Sequence, residues 1–259
     1  MPDAPRLLAI PLSPWSLRAR WALEHHRRAY RFEAYTPMLG EPLLRARLGF
    51  PSGTVSVPVL FYGALRMGPL SERKAIAGSM QIARHAEEDS SAAPLFPTGH
   101  DEAIHRWDAI AEAIAAAGRR LSTARMLRDE RAIEESVPKA LRSVPLSRSL
   151  ARQVVSYVGD KYGAESARED DDRRALRHGL DRVRERVLEH RHLIGDSLSY
   201  AELAIVTALQ FVRPASALVR LGPGIQQAWT ETVMAHEYQD VLGWRDRILA
   251  AHPWRTPRA

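Results

Sequence analysis

The sequence contains no cysteine. Disulfides, thiolate-bound zinc, iron–sulfur clusters and a protein-thiol nucleophile are therefore excluded. Aromatic residues make up only 7% of the chain, and three of its 37 basic residues are lysine (Lys74, Lys139, Lys161), the rest arginine. No apolar run reaches the roughly 20 residues of a membrane-spanning helix. The most apolar late stretch, 201–212, is interrupted by Glu202 and Gln210. The first ten residues lack the charged segment and long apolar run of a secretory leader. No membrane association and a cytoplasmic location are expected. What remains is 259 residues with 45% hydrophobic and 26% charged side chains. That is material for a packed core in one large domain or two ordinary ones, not for a mainly disordered chain. The net charge of +6 permits contact with nucleic acid. The arginines, however, are spread among acids rather than clustered or interleaved with aromatics, which argues against such a partner.

The order of elements can be read along the chain. Arg6–Ile10 is a short apolar run that fits a buried strand. Ser13 and Pro14 suit the N-cap and first position of a helix reaching about His26. Tyr30–Tyr35 alternates as a second strand, and Glu41–Leu48 is a short helix. After the loop Gly49–Ser56 comes a third strand, Val57–Tyr62. Gly63 then turns the chain so that Ala64–Met67 pairs back as a fourth strand, and Ser71 caps a helix to about Glu88. The reading is βαβαββα, a mixed four-stranded sheet with helices over it, in residues 1–88. Residues 89–99 (DSSAAPLFPTG) have linker composition. Residues 100–259 carry helical periodicity alone, over roughly 101–118, 121–135, 138–158, 169–191, 199–212 and 225–250. Glu169–Asp172 suits a helix start, where acids favour the dipole. Gly222-Pro223-Gly224 reads as a turn. The histidines include no HExxH, and His100 and His105 are spaced poorly for one helical face, so no metal is expected.

Three motifs carry chemistry or identity. Ser13-Pro14-Trp15-Ser16-Leu17-Arg18-Ala19-Arg20-Trp21-Ala22-Leu23 opens the first helix. Ser56-Val57-Pro58-Val59-Leu60 places a proline at a strand start. Gly195-Asp196, then Leu198-Ser199-Tyr200-Ala201-Glu202-Leu203, forms a capping box with apolar residues at the staple positions. Loss of the Ser199 hydroxyl there should cost about 1 kcal/mol. Together with the order of elements, these motifs resemble the glutathione transferase superfamily, serine type. Its architecture is a thioredoxin-like α/β N-terminal domain followed by an all-α C-terminal domain.

The resemblance implies roles for named residues. Ser13 sits where the serine-type members contact the glutathione thiol. A helix N-terminus with its free N–H groups favours a thiolate, and a hydroxyl donor adds to that. Ser16, one turn on, is the second candidate. Trp15 would wall the acceptor pocket or pack in the core. Pro58 would follow a cis peptide bond, turning the N–H and C=O of Val57 toward glutathione like an added strand. The family carries Glu/Asp-Ser before its third helix to hold the γ-glutamyl group. Aligned on Ala75-Ile76, that pair falls on Glu72 and Arg73, with Ser71 as an alternative anion-binding hydroxyl. Arg73 would clamp the γ-glutamyl carboxylate or block its pocket. Trp107, Arg119 and Arg120 lie on the first helix of the second domain, where the acceptor wall is expected and where packing and solvated charge are the simpler roles. The expected activity is a detoxifying transferase that uses glutathione as co-substrate to attack an apolar electrophile, with a homodimer usual in the family. The alternative is a non-catalytic protein-interaction module on the same fold, favoured by Arg73 and by the charged segment Gly163–His192.

Overall fold

The structure is a computed structural model that describes residues 4–62, 75–137, 147–164 and 168–253. Its first part alternates strand and helix: β1 (Arg6–Ala9), α1 (Pro14–His25), β2 (Arg31–Ala34), α2 (Glu41–Arg47), β3 (Val59–Phe61), β4 (Ala75–Ala77) and α3 (Ser79–Glu87). The strands form one mixed sheet in the order β2-β1-β3-β4. β1 is parallel to β2, with Leu7 opposite Phe32, and antiparallel to β3, with Leu7 opposite Leu60. β4 is antiparallel to β3, with Leu60 opposite Ile76. The two-residue repeat of strands sorts the apolar side chains. Leu7, Ala9 and Leu60 meet Ala19 and Leu23 of α1 and Ile82 and Ala86 of α3 on one face. Leu8, Val59 and Phe61 meet Leu44 of α2 on the other.

The fourth strand and the third helix differ from the sequence reading. Ala75–Ala77, expected inside a helix capped by Ser71, is strand β4, and both edges of β3 are taken by β1 and β4. Gly78, at φ +93°, turns the chain out of the strand, and its N–H donates to the Pro58 carbonyl at 3.0 Å. Helix α3 therefore starts at Ser79, six residues beyond Arg73. Alanine is a poor strand former, so Ala75-Ile76-Ala77 reads locally as helix, and pairing with β3 overrides that preference. The expected strand Ala64–Met67 and the residues Ser71, Glu72 and Arg73 lie outside the described residues.

The second part is helical: α4 (Asp101–Arg128), α5 (Glu130–Ser136), α6 (Ser147–Tyr162), α7 (Glu169–Glu189), α8 (Tyr200–Ala208), α9 (Pro223–Trp229), α10 (Thr232–Glu237) and α11 (Gln239–Ala251). α4 is one helix through Gly118, where the sequence suggested a break. A Cβ at 118 would lie 2.3 Å from Phe211, so this glycine serves close packing rather than a turn. Asp129 then caps α5 through its side chain. The last expected helix, 225–250, is three short ones, and Gly222-Pro223-Gly224 starts α9 with Pro223 at its first position. Glu169–Asp172 is the first turn of α7. α8 is buried throughout and starts from the expected capping box, with the Ser199 N–H donating to Glu202 at 2.8 Å. The segment between α3 and α4 is tied at both sides: the Glu87 carboxylate accepts from the N–H groups of Leu95 and Phe96, and the Leu95 carbonyl accepts from Tyr200 N–H. One apolar cluster joins Leu17, Trp21 and Ala22 of α1 and Met80 and Ala83 of α3 to the interior of the helical part.

Candidate functional site

Strand register gathers three chain segments at one end of the sheet. Leu8 near the end of β1 pairs with Val59 at the start of β3, and Val59 pairs with Ala77 at the end of β4. The chain leaving β1 toward Ser13, the chain entering β3 through Pro58 and the chain leaving β4 toward Ser79 therefore emerge on the same side. The Val57–Pro58 peptide bond is cis. Among the described residues, no group pairs with the backbone N–H or C=O of Val57.

Ser13 occupies the N-cap of α1 in an extended conformation, φ −66° and ψ 129°. Its backbone holds the turn, with N–H donating to Ile10 and C=O accepting from Leu17, yet its hydroxyl caps no N–H of the helix. That leaves a half-buried hydroxyl beside the positive end of a twelve-residue helix dipole. Ser16 is placed differently. It is fully buried, and its Oγ accepts from Ile10 N–H at 3.1 Å, so it is a structural ligand of the β1–α1 turn rather than a surface serine. The geometry thus separates two candidates that the sequence left open.

At the start of α3 stand Gly78, as N-cap, and Ser79. Ser79 is buried, its hydroxyl hydrogen bonded to that of Tyr200 at 3.2 Å. A Cβ at Gly78 would lie 2.4 Å from the Gln81 side-chain oxygen, so Gln81 fills that place.

A polar network beneath the site connects α1, α3, α4 and α8, and sequence reasoning missed it. Arg18 is fully buried and donates to Asp108 at 2.8 Å and Glu112 at 2.9 Å. Burial alone would lower its pKa, but Tyr200, Glu112 and Asp108 outweigh this and raise it further. Asp108 is shifted upward, chiefly by burial and against the pull of Arg18. Trp15 Nε1 donates to both Glu112 oxygens, at 2.8 and 2.7 Å. Trp15 is thereby fixed two residues from Ser13, its ring partly buried against the main core.

Helix α6 closes over the same region. Lys161 Nζ donates to Glu41 at 2.6 Å and to the Val55 carbonyl at 3.0 Å, and the Tyr157 hydroxyl donates to Glu41. The contacts from Lys161, then Tyr157, hold the Glu41 carboxyl down at about 2. Burial pushes the nearby Tyr35 phenol up to about 12. The loop carrying the cis peptide is thus held from the helical part. Of the residues expected on the acceptor wall, Trp107 packs on the main core and Arg120 pairs with Asp172 at 2.8 and 3.0 Å. The Arg119 guanidinium lies over the rings of Trp15 and Tyr162. A cavity of about 670 Å³ between the end of α7 and α11, lined by His190, Arg191, His192 and Arg247 among others, contains none of these residues.

No family model matches the sequence, and no curated protein is similar to it in sequence. Solved structures are similar in shape. A glutathione transferase of Phanerochaete chrysosporium is 16% identical and superposes with a TM-score of 0.65, covering 99% of this chain and 100% of its own. A glutathione S-transferase of Ceriporiopsis subvermispora in complex with glutathione is 15% identical, with a TM-score of 0.63 and coverage of 99% and 100%. A Methylobacillus flagellatus glutathione S-transferase with glutathione bound is 16% identical, with a TM-score of 0.58 and 95% of each chain covered. Superposing with these structures over nearly the full chain length, this protein has the fold of the glutathione S-transferases.

Proposed function

We propose that this protein is a glutathione transferase whose site lies at the end of the sheet defined by Ser13, Val57-Pro58 and Ser79. The observation that carries the reading is the convergence there of a hydroxyl at a helix N-terminus and a cis-proline strand edge whose preceding residue has free backbone groups, both without a partner among the described residues. Glutathione would enter as a substrate. Val57 would pair with its cysteinyl backbone as an added strand. Ser79 and the free N–H groups of the first turn of α3 suit the γ-glutamyl carboxylate. Ser13 Oγ–H would donate to the sulfur, and with the α1 dipole would favour the thiolate over the thiol. In a displacement on a chlorinated nitroaromatic the thiol proton passes to solvent. The sulfur–carbon bond forms, the carbon–chlorine bond breaks and chloride leaves with its electron pair. Trp15 supplies an apolar wall for the acceptor.

Calorimetric titration with glutathione, followed by turnover of 1-chloro-2,4-dinitrobenzene, tests this. Binding with a dissociation constant below the millimolar range and glutathione-dependent turnover are expected. No heat of binding at millimolar glutathione sinks the proposal. The start of α3, where Gly78 stands without an acid, favours a second reading in which the fold serves as a protein-interaction module. Retention on immobilised glutathione separates the two. Among the described residues no helix is long and apolar enough to cross a membrane.

A further inference from the structure

We infer that the acceptor substrate of this site carries a carboxylate, and that Arg119 receives it. This rests on the transferase reading above and narrows its substrate class.

Arg119 stands apart from its neighbours. The other described arginines of α4 each hold a carboxylate: Arg106 on Glu102, Arg120 on Asp172, Arg125 on Glu231 and Arg128 on Glu169. Arg119 Nε is shielded from solvent and makes no hydrogen bond, and its guanidinium reaches no oxygen of any described residue. Glu112, two helical turns back on the same helix, is the natural partner. Its oxygens are already engaged by Trp15 Nε1 and Arg18. The guanidinium carbon lies 4.7 Å from the centre of the Trp15 ring and 3.5 Å from that of Tyr162. Aromatic faces stabilise a cation, but they accept none of its N–H hydrogen bonds in the plane of the guanidinium. A shielded guanidinium Nε–H without an acceptor is unfavourable, and a carboxylate from outside the chain removes that penalty. The planar fork of arginine matches a carboxylate in two parallel hydrogen bonds.

Location decides which carboxylate. Trp15 lies in the first turn of α1, two residues from Ser13, and Tyr162 is the last residue of α6, next to the Lys161 clamp. A ligand on Arg119 therefore has its body against Trp15 and Tyr162 and reaches back toward the Ser13 hydroxyl. An aromatic or conjugated acid has that shape. The glycyl carboxylate of glutathione is the other possible source, and the experiment distinguishes the two.

The parent protein, Arg119→Met and Arg119→Lys are compared with 4-chloro-3-nitrobenzoate and 4-chloro-3-nitrobenzamide. These two acceptors react by the same chloride displacement and differ in charge. The ratio of kcat/KM for acid over amide should fall about tenfold or more in Arg119→Met and recover in part in Arg119→Lys, as for loss of a hydrogen bond to a charged group. The amide rate and the KM for glutathione should stay within about twofold. Melting is measured alongside, because Arg119→Met also removes the stacking of the guanidinium on Trp15 and Tyr162. An unchanged acid-to-amide ratio overturns the inference, and so does a loss confined to glutathione affinity. Calorimetry with unreactive 3-nitrobenzoate and 3-nitrobenzamide gives the reading without turnover. Arg119-dependent binding of the acid supports the anion site even if neither chlorinated acceptor reacts, an outcome that would count against the transferase reading alone. Equal binding of acid and amide overturns the inference even if both are turned over.

Discussion

Ser13, the N-cap of α1, and Ser16, three residues on, are predicted to respond oppositely to the same substitution. Ser13→Ala removes a hydroxyl that bonds nothing in the helix, so the melting temperature should move little. If that hydroxyl donates to the sulfur, turnover falls and the pKa of the bound thiol rises, while glutathione affinity is nearly kept. A preorganised donor at an oxyanion is worth about 10²–10³ in rate. Sulfur is a softer acceptor, so about tenfold is the expected loss. Turnover unchanged in a folded Ser13→Ala protein would leave activation to the backbone N–H groups. Ser16→Ala strips the acceptor from Ile10 N–H in a buried setting. It should cost about 1–3 kcal/mol of stability, measured by chemical denaturation, with catalysis affected only through unfolding. The sequence displayed both serines in one motif and could not tell them apart. What separates them is the direction of each side chain relative to β1, which a spacing of three residues does not encode. Arg18 was hidden for a related reason. In a chain with 37 basic residues, charge alone singles out none, and the carboxylates of Arg18 lie 90 and 94 residues away.

The elements most legible in the sequence are those with local punctuation. Ser13-Pro14 opens α1, the Ser199–Glu202 box opens α8, and Val57-Pro58 marks the start of the third strand. β4 and α3 lacked such marks, because Ala75-Ile76-Ala77 becomes a strand only by pairing with β3. That shift puts Gly78-Ser79, rather than Glu72 and Arg73, at the start of α3. The role of α6 was equally invisible, since its contacts run from Tyr157 and Lys161 back to Glu41 and Val55. These contacts make a pH prediction. The Glu41 carboxyl is held at about 2 in the fold, against an ordinary value of 4.5. A depressed carboxylate pKa contributes stability that is present above the ordinary value and is lost as pH falls toward the folded value. The α6 clasp should therefore be intact at neutral pH and loosen between about pH 4.5 and 2. Amide exchange in α6, followed by mass spectrometry, should accelerate over that window in the parent. In Glu41→Gln it should be fast already at pH 7 and lose its acid dependence. Equal exchange in parent and variant at pH 7 would show that the clasp does not hold α6.

At the scale of the whole molecule, the boundary suggested by composition at residues 89–99 divides sheet from helices but does not divide the core. Leu17, Trp21 and Ala22 of α1 and Met80 and Ala83 of α3 belong to the same apolar cluster as the interior of the helical part. Arg18 is fully buried only because Asp108, Glu112 and Tyr200 of α4 and α8 receive it. Removing residues 100–259 would expose those side chains. Each large apolar one is worth about 1.5–3 kcal/mol when buried, against a total stability of about 5–15 kcal/mol for a protein. Trp21, Leu17 and Met80 together are thus of the order of the whole stability, and the loss of Arg18's partners adds to it. A fragment of residues 1–88 is expected to show no cooperative thermal transition. The full chain should unfold in one, with tertiary fluorescence and far-ultraviolet circular dichroism following the same curve. A folded 1–88 fragment, or two resolved transitions in the full chain, would show that the sheet part stands by itself. In that case the network from Trp15 through Glu112 and Arg18 to Tyr200 would join two independent bodies rather than run through one.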